Sequence, residues 1–219
     1  ERIDGIAAGD FNNDALTDIA ISYSGSNIVS IMLQKFNGAF DYRTIEFSKV
    51  IPANINRVIM SGDINADKRE DIAIGTDKGV FVLLQNNSGS FAPVERIPLL
   101  TDYIATGLDI DDVNKDGLTD IIQTISAPAT DSKIVIHYNT GKNIPDSTVI
   151  SSSLPFAESV KTGDLNCDSI PEIITANGGS KSICVYEHSK GKIDAYKSYT
   201  VNDANHYNPY GMDIGDINN

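Results

Sequence analysis

One nine-residue pattern, Asp-x-Asn-x-Asp-x-x-x-(Asp/Glu), occurs four times in this chain of 219 residues, and its regular recurrence limits the possible folds more than any other feature. The copies are Asp10-Asn12-Asp14-Asp18, Asp63-Asn65-Asp67-Asp71, Asp112-Asn114-Asp116-Asp120 and Asp164-Asn166-Asp168-Glu172, and a fifth opens at Asp216-Asn218. Successive copies start 53, 49, 52 and 52 residues apart. One such pattern could arise by chance in an acidic, Asn-rich chain. Four complete copies at this spacing define a structural unit of about 50 residues.

The flanks repeat with the loops. A short apolar segment ending in small residues enters each loop, as in Gly5-Ile6-Ala7-Ala8-Gly9, Val58-Ile59-Met60-Ser61-Gly62 and Val160-Lys161-Thr162-Gly163. A β-branched run leaves each one: Asp18-Ile19-Ala20-Ile21, Asp71-Ile72-Ala73-Ile74, Asp120-Ile121-Ile122 and Glu172-Ile173-Ile174. Further strand-like runs follow at 28–33, 80–84, 134–138 and 183–186. Turns come next at Asn37-Gly38, Asn87-Ser88-Gly89, Asn139-Thr140-Gly141 and Ser189-Lys190-Gly191, and then a more polar closing strand. This is an all-β reading, with four antiparallel strands per unit and no sustained helical period. A single four-stranded sheet cannot bury both faces, so the units are expected to stack radially as the blades of a β-propeller. The blades are expected at about 4–56, 57–105, 106–158 and 159–209, with 210–219 starting a fifth.

The pattern places side-chain oxygens at positions 1, 3, 5 and 9 of a tight turn, the spacing with which a loop wraps one hard cation. Oxygen-only donors select Ca²⁺ over zinc or copper. The backbone carbonyl at position 7, from Leu16, Arg69, Leu118 and Ile170, would complete each set, so about four calcium sites are expected, one per complete loop. The helix-flanked calcium hand is disfavoured, because its twelfth position would fall on Ile21, Ile74, Gln123 and Thr175, none of them acidic. The competing explanation is that Asp and Asn merely shape the turns by bonding their own backbone. Four matching clusters of mutually repelling carboxylates favour the metal. The copies differ in detail: only the third has Gly at position 6 (Gly117), against Ala15, Lys68 and Ser169, and the fourth ends in Glu172 after Pro171. In the second loop Lys68, Arg69 and Glu70 are expected to face outward, the two cations weakening that site modestly.

With these residues in view, the sequence resembles the FG-GAP or VCBS repeat family, the unit of the integrin α-subunit β-propeller and of many secreted bacterial proteins. The resemblance rests on the four loops, on the preceding Gly in Gly9-Asp10, Gly62-Asp63, Gly163-Asp164 and Gly215-Asp216, and on turns such as Asn37-Gly38-Ala39-Phe40 and Gly89-Ser90-Phe91-Ala92-Pro93. Asp111 replaces the Gly before the third loop, and the turn is weak in the third and fourth units. The resemblance implies calcium-binding loops between the first two strands of each blade and a propeller of about seven blades. Four blades and a fraction do not close such a ring, so the rest of a longer chain is an expected partner. A closed four-bladed ring, with 210–219 returning beside the first blade, is the alternative.

The net charge of -13 argues against nucleic acid or an anionic membrane as partner. Four calcium ions would reduce it to -5. No stretch of about 18 apolar residues is present, so membrane insertion is not expected. Cys167 and Cys184 fit no metal spacing and read as free thiols more readily than as a disulfide. His137, His188 and His206 lie at no catalytic spacing, and Tyr207 and Tyr210 beside His206 read as packing between blades. Asn86-Asn87-Ser88 is a glycosylation sequon, relevant only in a eukaryotic secretory pathway. The expected function is an extracellular, calcium-stiffened scaffold for a protein or glycan ligand, with no catalytic residues. The alternative is the propeller of a carbohydrate-active enzyme such as a polysaccharide lyase.

Overall fold

A computed structural model describes residues 2–46, 56–92, 95–100, 102–127, 131–141, 146–152, 156–189, 192–201 and 211–216. They form four antiparallel four-stranded sheets, each built from strands consecutive in sequence. The first contains β1 (Ile3–Gly9), β2 (Asp18–Tyr23), β3 (Ile28–Gln34) and β4 (Phe40–Glu46), and the second β5 (Asn56–Gly62), β6 (Asp71–Thr76), β7 (Gly79–Leu83) and β8 (Glu95–Pro98). The third contains β9 (Ile104–Asp111), β10 (Asp120–Ser126), β11 (Ser132–Tyr138) and β12 (Asp146–Ser152). The fourth contains β13 (Ala157–Gly163), β14 (Glu172–Asn177), β15 (Ser182–Ser189) and β16 (Lys192–Thr200), with a 3-10 turn at Gly178–Ser180. Every nine-residue loop thus joins the first and second strands of a sheet. The opening residue of each loop directly follows the end of the first strand, and the ninth opens the second strand.

The sheets stack in chain order through their side chains, and strand periodicity decides which residue faces which neighbour. Ile72 and Ile74 of β6, with Phe81 and Leu83 of β7, pack against Val29, Ile31 and Leu33 of β3. The alternate residues Ala73, Val80 and Val82 turn the other way, against Leu108 and Ile121 of the third sheet. Ile122, Ile134 and Ile136 of that sheet pack in turn on Ile173, Cys184 and Tyr186 of the fourth. This explains why β6, β7 and β10 are buried along their whole length whereas β2 and β3 alternate between buried and half-buried residues. The first sheet lies at one end of the stack and leaves Ile6 62% and Tyr42 71% exposed.

The first strands carry the series. β1 packs on β5, β5 on β9 and β9 on β13, while β13 and β1 are not packed together in that way. Side chains tie these strands to one another: Ser61 Oγ donates to the Ala8 carbonyl at 2.7 Å, and Asp109 accepts from the Thr162 N–H at 2.7 Å with Lys161 Nζ at 3.4 Å. Residues 211–216 extend the series. A Cβ on Gly62 would stand 3.1 Å from Cγ2 of Ile110, and one on Gly163 would stand 3.2 Å from Cγ2 of Ile214. Ile110 and Ile214 each lie two residues before the first Asp of a loop, so the segment runs beside β13 as β9 runs beside β5. The returning strand of a closed four-bladed ring is not seen among the described residues.

Among the buried polar groups, His137 in β11 is 3% exposed, with Nε2 3.3 Å from Oε1 of Gln123. Burial pushes its pKa down to about 4. The folded pKa lies below the unfolded value, so the folded state resists a proton that the unfolded chain accepts. Stability should therefore be lost as pH falls from about 6.5 toward 4, by up to roughly 3 kcal/mol. In urea unfolding, His137→Gln is expected to gain on the wild type across that window. Parallel stability profiles for the two proteins would contradict this.

Candidate functional site

The four loops share one backbone. Positions 4 and 6 are left-handed in every copy: Asn13 (φ 62°) and Ala15 (64°), Ala66 (60°) and Lys68 (67°), Lys115 (60°) and Gly117 (86°), Cys167 (62°) and Ser169 (70°). That geometry costs a non-glycine residue about 1–2 kcal/mol, and of these eight positions only one is glycine. Side-chain oxygens offset the cost by capturing backbone N–H groups. Oδ1 of the first Asp accepts from the N–H of position 5 and Oδ2 from that of position 6, at 3.1 and 2.8 Å for Asp10 and 2.9 and 2.8 Å for Asp63. Asp112 does so at 3.1 and 2.9 Å, and Asp164 at the same two distances. The Asn at position 3 (Asn12, Asn65, Asn114, Asn166) accepts from the N–H of position 5. The Asp at position 5 accepts from that of position 7, whose residues are Leu16, Arg69, Leu118 and Ile170.

The ninth residue does different work. Asp18, Asp71 and Asp120 are fully buried at the start of the second strand, and Glu172 is nearly so. Asp18 accepts from the N–H of Phe11 at 2.9 Å and from that of Gln34, at the end of β3, at 2.7 Å. Asp71 holds Ile64 and Gln85 at 3.0 and 2.7 Å, and Asp120 holds Val113 and Asn139 at 3.2 and 2.9 Å. The longer Glu172 accepts from the Leu165 N–H and from the side-chain amide of Asn166, both at 2.7 Å. Each carboxylate thus fixes the second residue of its loop, an apolar plug. Phe11, Ile64 and Val113 are buried between sheets, and Leu165, on the outer face of the last sheet, is 50% exposed.

Burial is the first cause of an upward pKa shift at Asp18, Asp71 and Asp120. Asp71 is pushed up to about 6, with Asp67 adding to the rise, and Asp120 to about 6, with Asp116 and Asp112 adding. Asp18 is raised in the same direction, with contributions from Asp14 and Asp10. The hydrogen bonds oppose the rise without cancelling it. The loops therefore store charge repulsion that a nearby cation would relieve.

In all four loops the position 1 and position 3 oxygens share the N–H of position 5 as donor. Among the described residues, however, no three acidic, His or Cys side chains already converge as a metal cage. Their oxygens are engaged with the loop's own N–H groups. The outward orientation expected of Arg69 and Glu70 is not found. Lys68 is exposed, but the Arg69 guanidinium folds back onto Asp67, and Glu70 is half-buried near Asp63 and Asp10, its pKa raised chiefly by burial. The carbonyl of Gln85 and the side chain of Asn87 draw Arg69 inward, partners that loop spacing cannot indicate. Asn218, His206, Tyr207 and Tyr210 lie outside the described residues, as does the side chain of His188. Asp216 is described, and Cys167 and Cys184 are free thiols, exposed and buried respectively.

Two residues that sequence reasoning missed link neighbouring loops. Gln85 Nε2 donates to the Asp10 carbonyl of the preceding sheet at 2.9 Å and to that of Glu70 at 3.1 Å. Asn139 Nδ2 donates to the Ile64 carbonyl of its preceding sheet at 2.5 Å. The available signal was an amide residue recurring at or just beyond the end of the third strand in the first three sheets, at Gln34, Gln85 and Asn139.

A family model described as an FG-GAP-like repeat matches residues 63–123, from the second loop through the third and into β10. No curated protein matches the chain.

Asp120→Ala removes two charge-assisted hydrogen bonds and strands two backbone N–H groups. It is expected to cost about 3 kcal/mol of unfolding free energy even with a chelator present. A loss confined to calcium-containing buffer would mean that the carboxylate acts as a ligand alone.

Proposed function

We propose that this chain, which carries an FG-GAP-like repeat, forms consecutive blades of a calcium-binding β-propeller that serves as an extracellular scaffold for a protein or glycan ligand. The observation that carries the reading is the repetition of one turn, with the same donors and the same two left-handed residues, in four neighbouring loops. The succession of first strands β1, β5, β9 and β13 supports a radial order of blades.

The donor chemistry fits calcium in the first, third and fourth loops. Asp10, Asn12 and Asp14, Asp112, Asn114 and Asp116, and Asp164, Asn166 and Asp168 would hold the ion, with the carbonyls of Leu16, Leu118 and Ile170 and the ninth carboxylate. A bound divalent ion supplies positive charge to a cluster that otherwise repels itself. The residues themselves set the loop's shape: the first Asp closes the turn, the ninth anchors it to β2, β6, β10 or β14, and in the first three loops the plug seats it between sheets. Sites of this kind in extracellular modules bind at about 10⁻⁴ to 10⁻³ M, which suits the calcium level outside cells. The loops at the opposite ends of the sheets remain available to a partner, on a scaffold with no catalytic role.

Calcium is expected to raise the melting temperature, each site adding about 2.7 kcal/mol at 100 times its dissociation constant. Asp116→Ala should forfeit one such increment in calcium. In chelator it should lose only about 1 kcal/mol, from the bond to the Leu118 N–H. Equal losses in the two buffers would assign Asp116 to turn geometry and refute the metal.

A further inference from the structure

The second loop differs from the others in a way that bears on which loops take an ion. Its seventh residue is Arg69, where the other loops have Leu16, Leu118 and Ile170. The guanidinium is held at three points. Nε donates to the Gln85 carbonyl at 3.1 Å, Nη1 to Oδ1 of Asn87 at 2.7 Å, and Nη2 to Oδ2 of Asp67. Both partners of the ion pair are only 23% exposed. A planar fork fixed at each end is a persistent arrangement, unlike a mobile surface lysine.

Asp67 is the carboxylate at position 5, the counterpart of Asp14 and Asp116. Its Oδ1 accepts from the Arg69 N–H at 3.0 Å, and its Oδ2 receives both the Asn65 amide, at 2.8 Å, and the guanidinium. Among the described hydrogen bonds, Oδ2 of Asp14 and of Asp116 receives the Asn amide alone, at 2.9 and 3.0 Å. A calcium ion in the second loop would have to displace a guanidinium from its ligand and then sit beside that positive charge. The donor pattern fits calcium by spacing, but the occupied carboxylate does not.

We infer that the second loop is closed by its own arginine: the Arg69 guanidinium stands where the other loops take calcium, and this joint between sheets holds without metal. The inference rests on the calcium reading for the remaining loops. Gln85 makes the arrangement structurally useful, because its carbonyl seats Arg69 while its side-chain amide grips the Asp10 carbonyl of the preceding loop. The second loop would thus stay ordered when calcium falls and keep the first two sheets in register.

The test compares the wild type with Arg69→Leu, which gives this loop the residue found at Leu16 and Leu118. Arg69→Gln serves as a second, polar variant. Bound calcium per chain is measured by equilibrium dialysis and metal analysis, and melting is followed in millimolar calcium and in chelator. Both variants are expected to bind about one ion more than the wild type, to melt below it in chelator, and to recover most of that gap in calcium. Equal, non-zero ion counts in all three proteins would overturn the inference while leaving the calcium reading intact. No bound ion in any of them would overturn both.

Discussion

The structure depends on a buried carboxylate at the start of each second strand. Asp18, Asp71 and Asp120 each hold two backbone N–H groups, one from the loop that precedes them and one from the end of the third strand. One side chain therefore fixes the loop, two strands and the plug residue seated between sheets. Desolvating such a charge is expensive, which is why Asp71 and Asp120 titrate near 6. The expense is tolerated because each carboxylate satisfies donors that burial would otherwise strand. A calcium ion nearby would make the same carboxylates less costly.

The alternation of side chains turns this local device into a stack. Ile72 and Ile74 face one neighbour and Ala73 the other, so shifting β6 by one residue would reverse both interfaces together. The loops are not merely carried at the sheet ends. Phe11, Ile64 and Val113 are loop residues by position and core residues by burial, and Gln85 and Asn139 bind the loop of the preceding sheet. Loop order and sheet packing are in this way coupled across every described interface from the first sheet to the third.

Much of this was legible in the sequence, because the loop pattern recurs and because β-branched runs of period two follow it. The all-β class and the four-stranded antiparallel sheets required only those signals. What escaped depends on contacts between residues distant in sequence. Arg69 reads as an outward cation until the Gln85 carbonyl and Asn87 are placed beside it, 16 and 18 residues further along. Gln85 and Asn139 look like ordinary amides at strand ends until the preceding sheet is stacked against them. The spacing marks the ninth carboxylate only as a candidate metal ligand. Its burial and its two N–H partners give it a structural role that spacing alone does not reveal.

The most direct test of the central claim is an anomalous difference map from crystals grown in millimolar calcium. The account requires an ion in the first, third and fourth loops, ligated by oxygens at about 2.3–2.6 Å, and the Arg69 guanidinium in place of one in the second. Empty first and third loops at that calcium concentration would contradict it.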